Sequence, residues 1–299
     1  MKLQSHPVAA LALAGVSLFA LSATPQEAPE NTSGVPVPEV PTFDPSDPVA
    51  HGLAIASYAD LFDTGWVDEL AQGTMTLFDG NGDSVRRSYL RMILEKAEGD
   101  KLIVKFQSPA EIKGVAALTH ENPGSSDDNW LYLPSTKRVR RISGANNTAS
   151  FQGTEFTYED LSNTDPREYE WRFLGEETME RGDEQVPVYK LDAVPTYDDS
   201  GYSHIVVYYN REAWRQERIE YFDKAGRLLK TRDSSDWLHL HGRFWRPVRL
   251  EMTNHQTGKR TLLEQSNQFL NLSLYTSTRT GKPRENLTEE LFTTRAIQS

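Results

Sequence analysis

Residues 74–106 read TMTLFDGNGDSVRRSYLRMILEKAEGDKLIVKF, and this stretch decides the fold class. Its three segments alternate between the two faces of an extended chain, which is the period of a β-strand. The DGNG sequence at 79–82 is a strong hairpin signal, and EGD at 98–100 supplies a second turn. The stretch therefore predicts three antiparallel strands in a meander.

The same pattern continues to residue 275, so the sequence predicts a mainly β protein. About eleven strands with hairpin spacing predict one curved or barrel-like antiparallel sheet. Helices are expected only at the ends of the chain. Asp47 can cap a helix that begins at Pro48, and Thr288 can cap a short helix within residues 286–296 that closes one end of the sheet.

Residues 1–23 read MKLQSHPVAALALAGVSLFALSA and predict export across the inner membrane. Lys2 precedes an apolar run, and the small residues Ser22 and Ala23 follow it. This order is typical of a secretory signal peptide that is cleaved near Ala23, and the run is too short for a permanent membrane span. We therefore expect a periplasmic protein.

Composition limits the class of partner. The 299 residues include 43 acidic and 32 basic side chains, which gives a net charge of -11. Because nucleic-acid binding requires a basic surface, this balance argues against nucleic acid as the main partner. The chain contains no cysteine, which excludes disulfides, thiolate metal sites and a lipid anchor on an N-terminal cysteine. The folded part must therefore be stabilised by buried apolar area.

Residues 24–47 are rich in proline. Proline removes backbone hydrogen-bond donors and favours extended, solvated chain, so this segment is expected to be a linker and not a domain. The sequence thus predicts three parts: a signal peptide at 1–23, a Pro-rich linker at 24–47 and one folded domain at 48–299.

A calcium-loop motif fails on inspection. Asp79, Asn81 and Asp83 resemble the start of such a loop. Ser84 stands where the loop needs glycine, and Leu90 stands where it needs a bidentate glutamate. The segment is therefore interpreted as a hairpin.

Other motifs of catalysis and metal binding are also missing. His239 and His241 share one side of a strand, but no third ligand is identifiable nearby. The sequence contains no nucleophile elbow, phosphate-binding loop or dinucleotide motif that follows a strand. We therefore expect no metal, no cofactor and no enzymatic activity.

A contrast between strand faces is the main functional signal. Apolar side chains collect on one face, while many side chains on the other face are charged. If the helices do not fill the space inside a curved sheet, such a face encloses an apolar cavity that suits a hydrophobic ligand. A fully packed core gives the same pattern, so both alternatives stay open. The residues assigned to this face are Met75, Leu77, Leu90, Met92, Leu94, Leu102, Val104, Phe106, Leu131, Leu133, Val248, Leu250 and Met252.

Several segments resemble the LolA-like family of outer membrane lipoprotein-sorting proteins. The segments that carry the resemblance are WLYLP (130–134), KRVRRI (137–142), FTYEDL (156–161), RIEYFD (218–223), WRP (245–247), RLEMT (249–253) and LFTTR (291–295). Together they cover most of the predicted domain.

The resemblance implies an unclosed antiparallel β-barrel, covered by helices, whose interior receives acyl chains or other lipids in the periplasm. Phe156 and Tyr158 are assigned to this interior together with the apolar face. The resemblance also implies an inner-membrane export pump of the resistance-nodulation-division type as a partner. It further implies an arginine that controls a lid, and no motif places that arginine in this sequence.

A basic run at residues 137–141 stands out in an acidic protein. On a strand its charges point to both faces. Two roles remain open, namely internal ion pairs with flanking carboxylates, which we favour, and contact with a headgroup or a transporter. The small polar loop at 143–153 is expected at the mouth of the barrel. The residues assigned to the rim or to a partner contact are Arg138, Arg140, Arg141 and Phe151.

These observations lead to one main hypothesis. The protein is expected to be a monomeric periplasmic carrier that binds lipid or lipoprotein acyl chains in an apolar barrel cavity and moves them toward the outer membrane, together with an export pump. Two alternatives stay open: an accessory module that docks on a transporter and carries nothing, and an enzyme of the envelope.

Overall fold

The computed structural model describes residues 31–142 and 146–298, so the predicted signal peptide lies outside the described residues. No helix within these two ranges is long and apolar enough to cross a membrane. The single α-helix of the described residues is α1 (Pro48–Phe62). The strands are β1 (Asp68–Phe78), β2 (Ser84–Leu94), β3 (Lys101–Ser108), β4 (Ala116–Asn122), β5 (Ser125–Leu133), β6 (Arg138–Ile142), β7 (Tyr169–Arg181), β8 (Glu184–Pro195), β9 (His204–Asn210), β10 (Gln216–Phe222), β11 (Leu228–Leu240), β12 (Phe244–Asn254) and β13 (Arg260–Leu270).

All of these strands belong to one antiparallel sheet. Its order is β6-β5-β4-β3-β2-β1-β13-β12-β11-β10-β9-β8-β7, so the first and last strands of the chain pair in the middle. β6 and β7 are the two edges, and the sheet does not close. The predicted mainly β, unclosed antiparallel barrel is confirmed, with 13 strands where the sequence predicted about eleven.

Local sequence explains where α1 begins. The Asp47 carboxylate accepts hydrogen bonds from the backbone amides of Val49 and Ala50 at 2.9 and 3.1 Å, and Pro48 is the first helical residue. An acidic cap followed by proline is a typical helix start, because both satisfy the free end of the helix. The predicted start of this helix is confirmed.

Helix α1 covers the half of the sheet formed by β7 to β12, and we call the covered face the inner face. Gly52 allows a close approach, because a Cβ atom there would lie 2.7 Å from the backbone nitrogen of Phe173 in β7. Ile55 and Tyr58 of the helix pack in a core that is closed by aromatic and aliphatic side chains of the strands, among them Trp171, Leu191, Tyr209, Ile219 and Met252.

Residues 146–161 cover the other half of the inner face, and we call them the inserted segment. Phe151 at its tip is fully buried, and its ring lies 5.8 Å from the ring of Phe106 in β3 and 5.5 Å from that of Tyr158. Gln152 and Gly153 both have positive φ angles, and the Phe151 amide donates to the carbonyl oxygen of Phe156 at 2.7 Å. The tip is therefore a tight turn that places an aromatic side chain inside the sheet.

The C-terminal segment covers the opposite, outer face. Phe292 and Ile297 pack there against Leu94, Ile103 and Leu118. The prediction of a helix within residues 286–296 is wrong, because the chain forms two short 3₁₀ turns, Glu289–Leu291 and Ala296–Gln298. The Thr288 side chain makes no capping hydrogen bond, and a helical turn this short forms mainly where packing holds it.

The described part of the Pro-rich segment, residues 31–47, lies against α1. The Phe43 ring stacks on His51 of the helix at 5.2 Å, and the Tyr58 hydroxyl donates to the carbonyl oxygen of Pro38 at 2.8 Å. Val35 occupies the space beside Gly65. These contacts hold the segment, which we call the strap, against the domain.

Candidate functional site

A cavity of about 620 Å³ on the inner face lies beside the C-terminal end of α1 and residues 162–168, which follow the inserted segment. Its walls come from the C-terminal end of α1, the β2–β3 and β4–β5 turns, residues 162–168, the β9–β10 turn and strands β11 and β12. A space of several hundred Å³ is typical of small-molecule sites. This cavity is the candidate functional site.

The lining of this cavity is polar, with more acidic than basic side chains. Its carboxylates are Asp60, Asp63, Glu69, Glu95, Asp100, Glu121, Asp127, Asp165 and Glu168. Its cations are Arg91, Lys96, Arg167, Arg215, Arg232 and Arg246. The prediction of an apolar cavity is therefore wrong for this open space, because the two covers already bury the apolar side chains of the inner face.

Burial changes the acid–base properties of the carboxyl groups in the lining. It raises the pKa of Glu121 to about 8 and that of Glu95 to about 7, and neighbouring carboxylates such as Asp100 add to both shifts. It also raises the pKa of Glu168 to about 7 and that of Asp100 to about 6. Part of this lining is therefore protonated near neutral pH.

The other end of the lining is an ion-pair network. Arg246 is 6% exposed, and it donates from Nε to Glu69 and from Nη1 to Asp63, both at 2.7 Å. Arg91 pairs with the same Glu69. Burial alone would raise the pKa of Glu69, but the charges of Arg91 and Arg246 lower it. Glu69 is therefore ionised and is shared by two guanidinium groups.

No group of three or more His, Cys, Asp or Glu side chains within residues 31–142 and 146–298 is arranged to hold a metal ion. His239 instead stacks on Trp245 at 4.1 Å, and His241 Nε2 lies 2.8 Å from the carbonyl oxygen of Leu270. Asp79 accepts hydrogen bonds from its own hairpin amides at Asn81 and Asp83.

Most of the residues that were assigned to the cavity are packed on the inner face instead of lining an open space. They form the apolar cluster around Phe151, which includes Met75, Leu77, Leu102, Val104, Phe106, Leu131, Leu133 and Tyr158. The inserted segment thus fills the volume in which the sequence predicted a ligand.

Strand β2 faces the other way from the prediction. Met75 pairs with Arg87 and Phe106 pairs with Tyr89, so the odd-numbered residues of β2 belong to the inner face. Leu90, Met92 and Leu94 therefore face outward, and assigning them to the cavity is wrong. Large apolar residues occur at both odd-numbered and even-numbered positions of β2. Alternation alone therefore does not show which of these positions face inward, and the register of pairing with β1 and β3 decides it.

Strand β12 has the predicted face. Leu250 pairs with Leu263, which in turn pairs with Met75, so Val248, Leu250 and Met252 lie on the inner side. Met252 is fully buried in the core under α1, together with Phe156. Of all the residues assigned to the cavity, only Leu250 lines the open space.

The tip of the inserted segment is held by one arginine. Arg87 Nη1 donates to the carbonyl oxygen of Gln152 at 2.6 Å, and its guanidinium carbon lies 5.8 Å from the centre of the Phe106 ring. Assigning Phe151 to the rim is wrong, because this residue lies inside the sheet, next to Phe106. Residues 143–145 of the predicted mouth loop lie outside the described residues.

The FTYEDL segment anchors the base of the inserted segment. The Glu159 carboxylate accepts hydrogen bonds from the Tyr197 hydroxyl, the Ser200 hydroxyl and the Gly201 amide. Asp160 pairs with Lys230 at 2.5 Å. These contacts reach the half of the sheet that α1 covers, so the segment bridges both halves.

Lys230 is almost completely enclosed. Its side chain is 3% exposed and that of Asp160 is 0% exposed. The ammonium group also donates to the carbonyl oxygen of Glu155 at 3.0 Å and lies 5.3 Å from the ring centres of Tyr202 and Tyr221. Because the pair is buried, removal of either partner would leave the other charge uncompensated and would destabilise the fold strongly.

The basic run lies on the edge strand β6. Arg141 pairs with Asp128 of the neighbouring strand, which confirms internal pairing for this residue. Arg138 and Arg140 are exposed on the other side of the strand, and neither forms an ion pair with the described residues. A contact of these two residues with a partner stays a prediction.

The sequence interpretation missed the charged residues of the lining. Glu69 and Arg91 occupy inner-face positions of β1 and β2, so a charge inside an apolar pattern was a visible signal. Arg246 is distant from Glu69 and Arg91 in sequence, and Asp63 lies outside the strands, directly after α1, so nothing in the strand pattern brings these four residues together.

Comparisons with known proteins agree with this fold. A family profile described as that of an uncharacterized protein matches residues 98–299. No curated protein sequence matches the chain. Among solved structures, a domain from Vibrio parahaemolyticus described as an outer membrane lipoprotein-sorting protein is 34% identical, with a TM-score of 0.74. The match covers 83% of this chain and 98% of that domain.

Two further structures are similar. A DUF1329 family protein from Desulfovibrio piger is 26% identical over 84% of this chain and 99% of that protein, with a TM-score of 0.74. A LolA superfamily protein from Nitrosomonas europaea is 20% identical over 82% of this chain and 98% of that protein, with a TM-score of 0.60, and supports the fold alone. The chain therefore belongs to the LolA-like family of outer membrane lipoprotein-sorting proteins.

Proposed function

We propose that the protein is a non-enzymatic periplasmic carrier that binds lipid or lipoprotein acyl chains on its inner face and moves them toward the outer membrane. An inner-membrane export pump is the proposed partner that loads or accepts the ligand. The observation that carries the proposal is the 620 Å³ cavity on the inner face, which adjoins an apolar cluster filled by a side chain from an irregular segment.

The acyl chain is proposed to replace Phe151. Moving this ring out of its cluster costs about 1.5–3 kcal/mol for lost burial and about 0.5–1.5 kcal/mol for each of its two aromatic contacts. Burial of each methylene group of a lipid contributes about 0.8 kcal/mol, so roughly eight buried methylene groups would offset the upper end of this cost. The proposal therefore requires that the backbone of the tip moves together with the ring, so that more space opens than the ring alone occupies.

The polar lining is proposed to receive the polar end of the same ligand. Hydrogen-bonding groups and charges of both signs surround the open space, and an acyl chain there would leave them without water or partners. A polar headgroup can replace the water instead. The cavity and the cluster around Phe151 then form one amphipathic site.

Arg87 is proposed to stabilise the closed form. It is the residue that donates to the backbone of the tip, while the base of the segment is fixed by Glu159 and Asp160. Because the base stays attached, the tip can move without releasing the whole segment. Arg87→Met should therefore favour the open form without unfolding the sheet.

Ligand occupancy tests the proposal directly. The protein is purified from the periplasm, its lipids are extracted, and they are quantified by mass spectrometry. Wild-type protein should carry acyl ligands, and Val104→Glu should carry none, because its charge would lie in the cluster around Phe151. Leu174→Glu is the matched control, since Leu174 is 49% exposed, and it should retain the ligand.

A second measurement addresses the inserted segment. Binding of an apolar fluorescent probe is compared between wild type, Arg87→Met and Phe151→Ala. Both variants should bind the probe more tightly than wild type. Equal probe binding in all three proteins, together with an absence of lipid in the wild type, would contradict the carrier function.

One observation favours the alternative of a docking module that carries nothing. The apolar cluster is already filled, since Phe151 is completely buried in it. Such a module would contain no lipid in any variant and would still bind the transporter. Hydrolysis of lipid or glycan substrates by the pure protein would support an enzyme instead.

A further inference from the structure

A second cavity, of about 350 Å³, lies where the β9–β10 turn, the β11–β12 turn, the end of α1 and the strap meet. It shares a wall with the first cavity through Phe62, Arg215 and Trp245. Its charged lining is mainly basic, with Arg215 and Arg243 against one carboxylate, Glu212. This is the reverse of the acidic first cavity.

Arg243 is the distinctive residue of this second cavity. It is 2% exposed, its Nη1 donates to the carbonyl oxygen of Phe62 at the end of α1, and its Nε has no hydrogen-bond partner. Within residues 31–142 and 146–298, no carboxylate forms an ion pair with it. The guanidinium carbon lies 4.3 Å from the ring centre of Phe62 and 5.1 Å from that of Phe244. The charge of Asp63 acts on Arg243, but that carboxylate is paired with Arg246. A buried guanidinium that has no carboxylate in contact is unusual.

Arg215 supplies a second guanidinium in a fixed position. It lies between the rings of Trp237 and Trp245, at 4.4 and 4.3 Å from their centres, and its Nε donates to Glu217 at 2.9 Å. Glu217 also pairs with Arg181 at 2.7 Å, so one carboxylate serves two guanidinium groups. The stacked Arg215 therefore keeps part of its positive charge available to the cavity.

His239 adds an imidazole to the lining of the second cavity, and burial together with the charge of Arg215 lowers its pKa, which favours the neutral form. It stacks on Trp245, the ring that also contacts Arg215, with ring centres 4.1 Å apart and planes 4° apart. Glu212 is exposed on the β9–β10 turn, and it forms no ion pair with Arg243. The second cavity is thus lined by two guanidinium groups that their own contacts hold in place, and by aromatic side chains.

We propose that this second cavity binds a phosphate group. Guanidinium groups match the geometry of phosphate oxygens, and a site that already holds them in place loses little entropy on binding. The net charge of -11 makes adventitious binding of anions elsewhere on the surface unfavourable. The site does not require the carrier function: the phosphate can belong to a lipid headgroup or to a free anion.

Titration calorimetry on the whole protein separates these two sources. The probes are inorganic phosphate, dihexanoyl phosphatidic acid below its micelle concentration, and dihexanoylglycerol, which has the same chains without phosphate. Binding of inorganic phosphate would identify a free anion as sufficient. Binding of the phosphatidic acid alone would identify a lipid headgroup.

The variants assign the binding to this cavity. Arg243→Gln should weaken binding of the phosphate probe at least tenfold, whereas Arg138→Gln, on the exposed edge strand, should leave it unchanged. Glu212→Gln is exposed, so its fold is not at risk, and removal of the negative charge should strengthen binding two- to threefold. If Arg243→Gln fails to fold, the other two variants still test the proposal: phosphate should bind more tightly to Glu212→Gln and with unchanged affinity to Arg138→Gln.

Three results would overturn the proposal. The first is that neither phosphate probe binds the wild type. The second is that dihexanoylglycerol binds as tightly as the phosphatidic acid. The third is that the phosphate probe binds equally to wild type, Arg243→Gln and Glu212→Gln. In each case Arg243 serves only to cap the last carbonyl groups of α1.

Discussion

The two halves of the inner face bury similar apolar side chains, but they are covered in different ways. On β7 to β12 the cover is a regular helix, and Gly52 brings it against the backbone of β7. On β1 to β6 the cover is the irregular inserted segment, with polar anchors at its base and one aromatic side chain at its tip. A helix satisfies its own backbone, whereas a loop depends on specific side-chain partners.

This difference indicates which half can change its state. The helix packs along its length, so moving it would expose much of the first core at once. The tip of the inserted segment can leave its cluster while Glu159 and Asp160 stay in place. We therefore expect the half covered by α1 to act as a scaffold and the half covered by the segment to exchange its tip for a ligand.

The largest expected effect comes from removing the anchor of the inserted segment. Lys230→Met leaves the Asp160 carboxylate buried and unpaired, so it should lower the free energy of unfolding by about 3–5 kcal/mol. Urea denaturation measures the loss. Lys190→Met is the matched control: Lys190 pairs with Glu177 at the surface, and its loss should cost about 0–1 kcal/mol.

A double variant shows what this anchor does. Lys230→Met combined with Asp160→Asn removes both charges and keeps an acceptor for the Thr157 amide and the Tyr202 hydroxyl, so it should recover part of the lost stability. If Lys230→Met alone costs no more than the control Lys190→Met, the segment is held by other contacts and the proposed division between base and tip is wrong.

The helical cover should respond to the addition of a single methyl group. Gly52→Ala would place a Cβ atom 2.7 to 2.9 Å from backbone atoms of Arg172 and Phe173, which cannot move independently of β7. The overpacking should cost about 1–3 kcal/mol, despite a gain of about 1 kcal/mol in helix propensity. Ser57→Ala is the control, because Ser57 lies on the exposed side of α1. This substitution also raises helix propensity, but it makes no contact with β7, so it should be neutral or slightly stabilising. Equal thermal midpoints for both variants would show that the approach of α1 to β7 is not tight.

A pH effect should come from the cavity on the inner face. The folded-state pKa values of Glu121, Glu95 and Glu168 lie above the usual 4.5, at about 8, 7 and 7. Between pH 4.5 and the raised pKa values, the folded protein therefore binds more protons than the unfolded chain does. The free energy of unfolding should for this reason fall as the pH rises from 5 to 8. Glu121→Gln should remove about 1–2 kcal/mol of that fall, after allowance for the solvent that reaches this half-buried group.

The control for the pH effect is Glu98→Gln, since Glu98 is an exposed residue of the β2–β3 turn. It should leave the pH dependence unchanged. Chemical denaturation at pH 5, 6, 7 and 8 measures all three proteins. A stability that is constant over this range in the wild type would mean that solvent reaches the cavity carboxylates freely.

The local parts of the fold could be predicted from the sequence because they depend on neighbouring residues. The turn at 79–82 and the cap at Asp47 are set by conformational preferences within a few positions. The faces of β12 could also be predicted, since Leu250 and Met252 alternate with charged residues on the opposite face. Strand β2 was assigned wrongly because both of its faces carry large apolar residues, so only its pairing with β1 and β3 decides.

The state of the inner face could not be predicted for a different reason. Period-two alternation predicts which side chains of a strand are buried, but it does not predict which part of the chain, or which ligand, covers them. Phe151 belongs to a small polar stretch without periodicity, yet it fills the centre of the predicted cavity. The open space next to it brings Arg246 of β12 to Asp63 and Glu69, which lie near the start of the sheet, and only the tertiary fold makes this contact.

The smallest expected effect lies on the edge strand of the half that the segment covers. Arg141 is 68% exposed although it pairs with Asp128, so Arg141→Ala should lower the free energy of unfolding by no more than about 1 kcal/mol. Arg138→Ala and Arg140→Ala lose no ion pair and should be neutral within about 0.5 kcal/mol. Because none of the three supports the fold strongly, any larger defect of these variants in transfer of lipid would come from a lost contact with a partner. If instead Arg138→Ala destabilises the protein as strongly as Gly52→Ala does, the edge strand supports the fold of this half, and the proposed partner contact loses its basis.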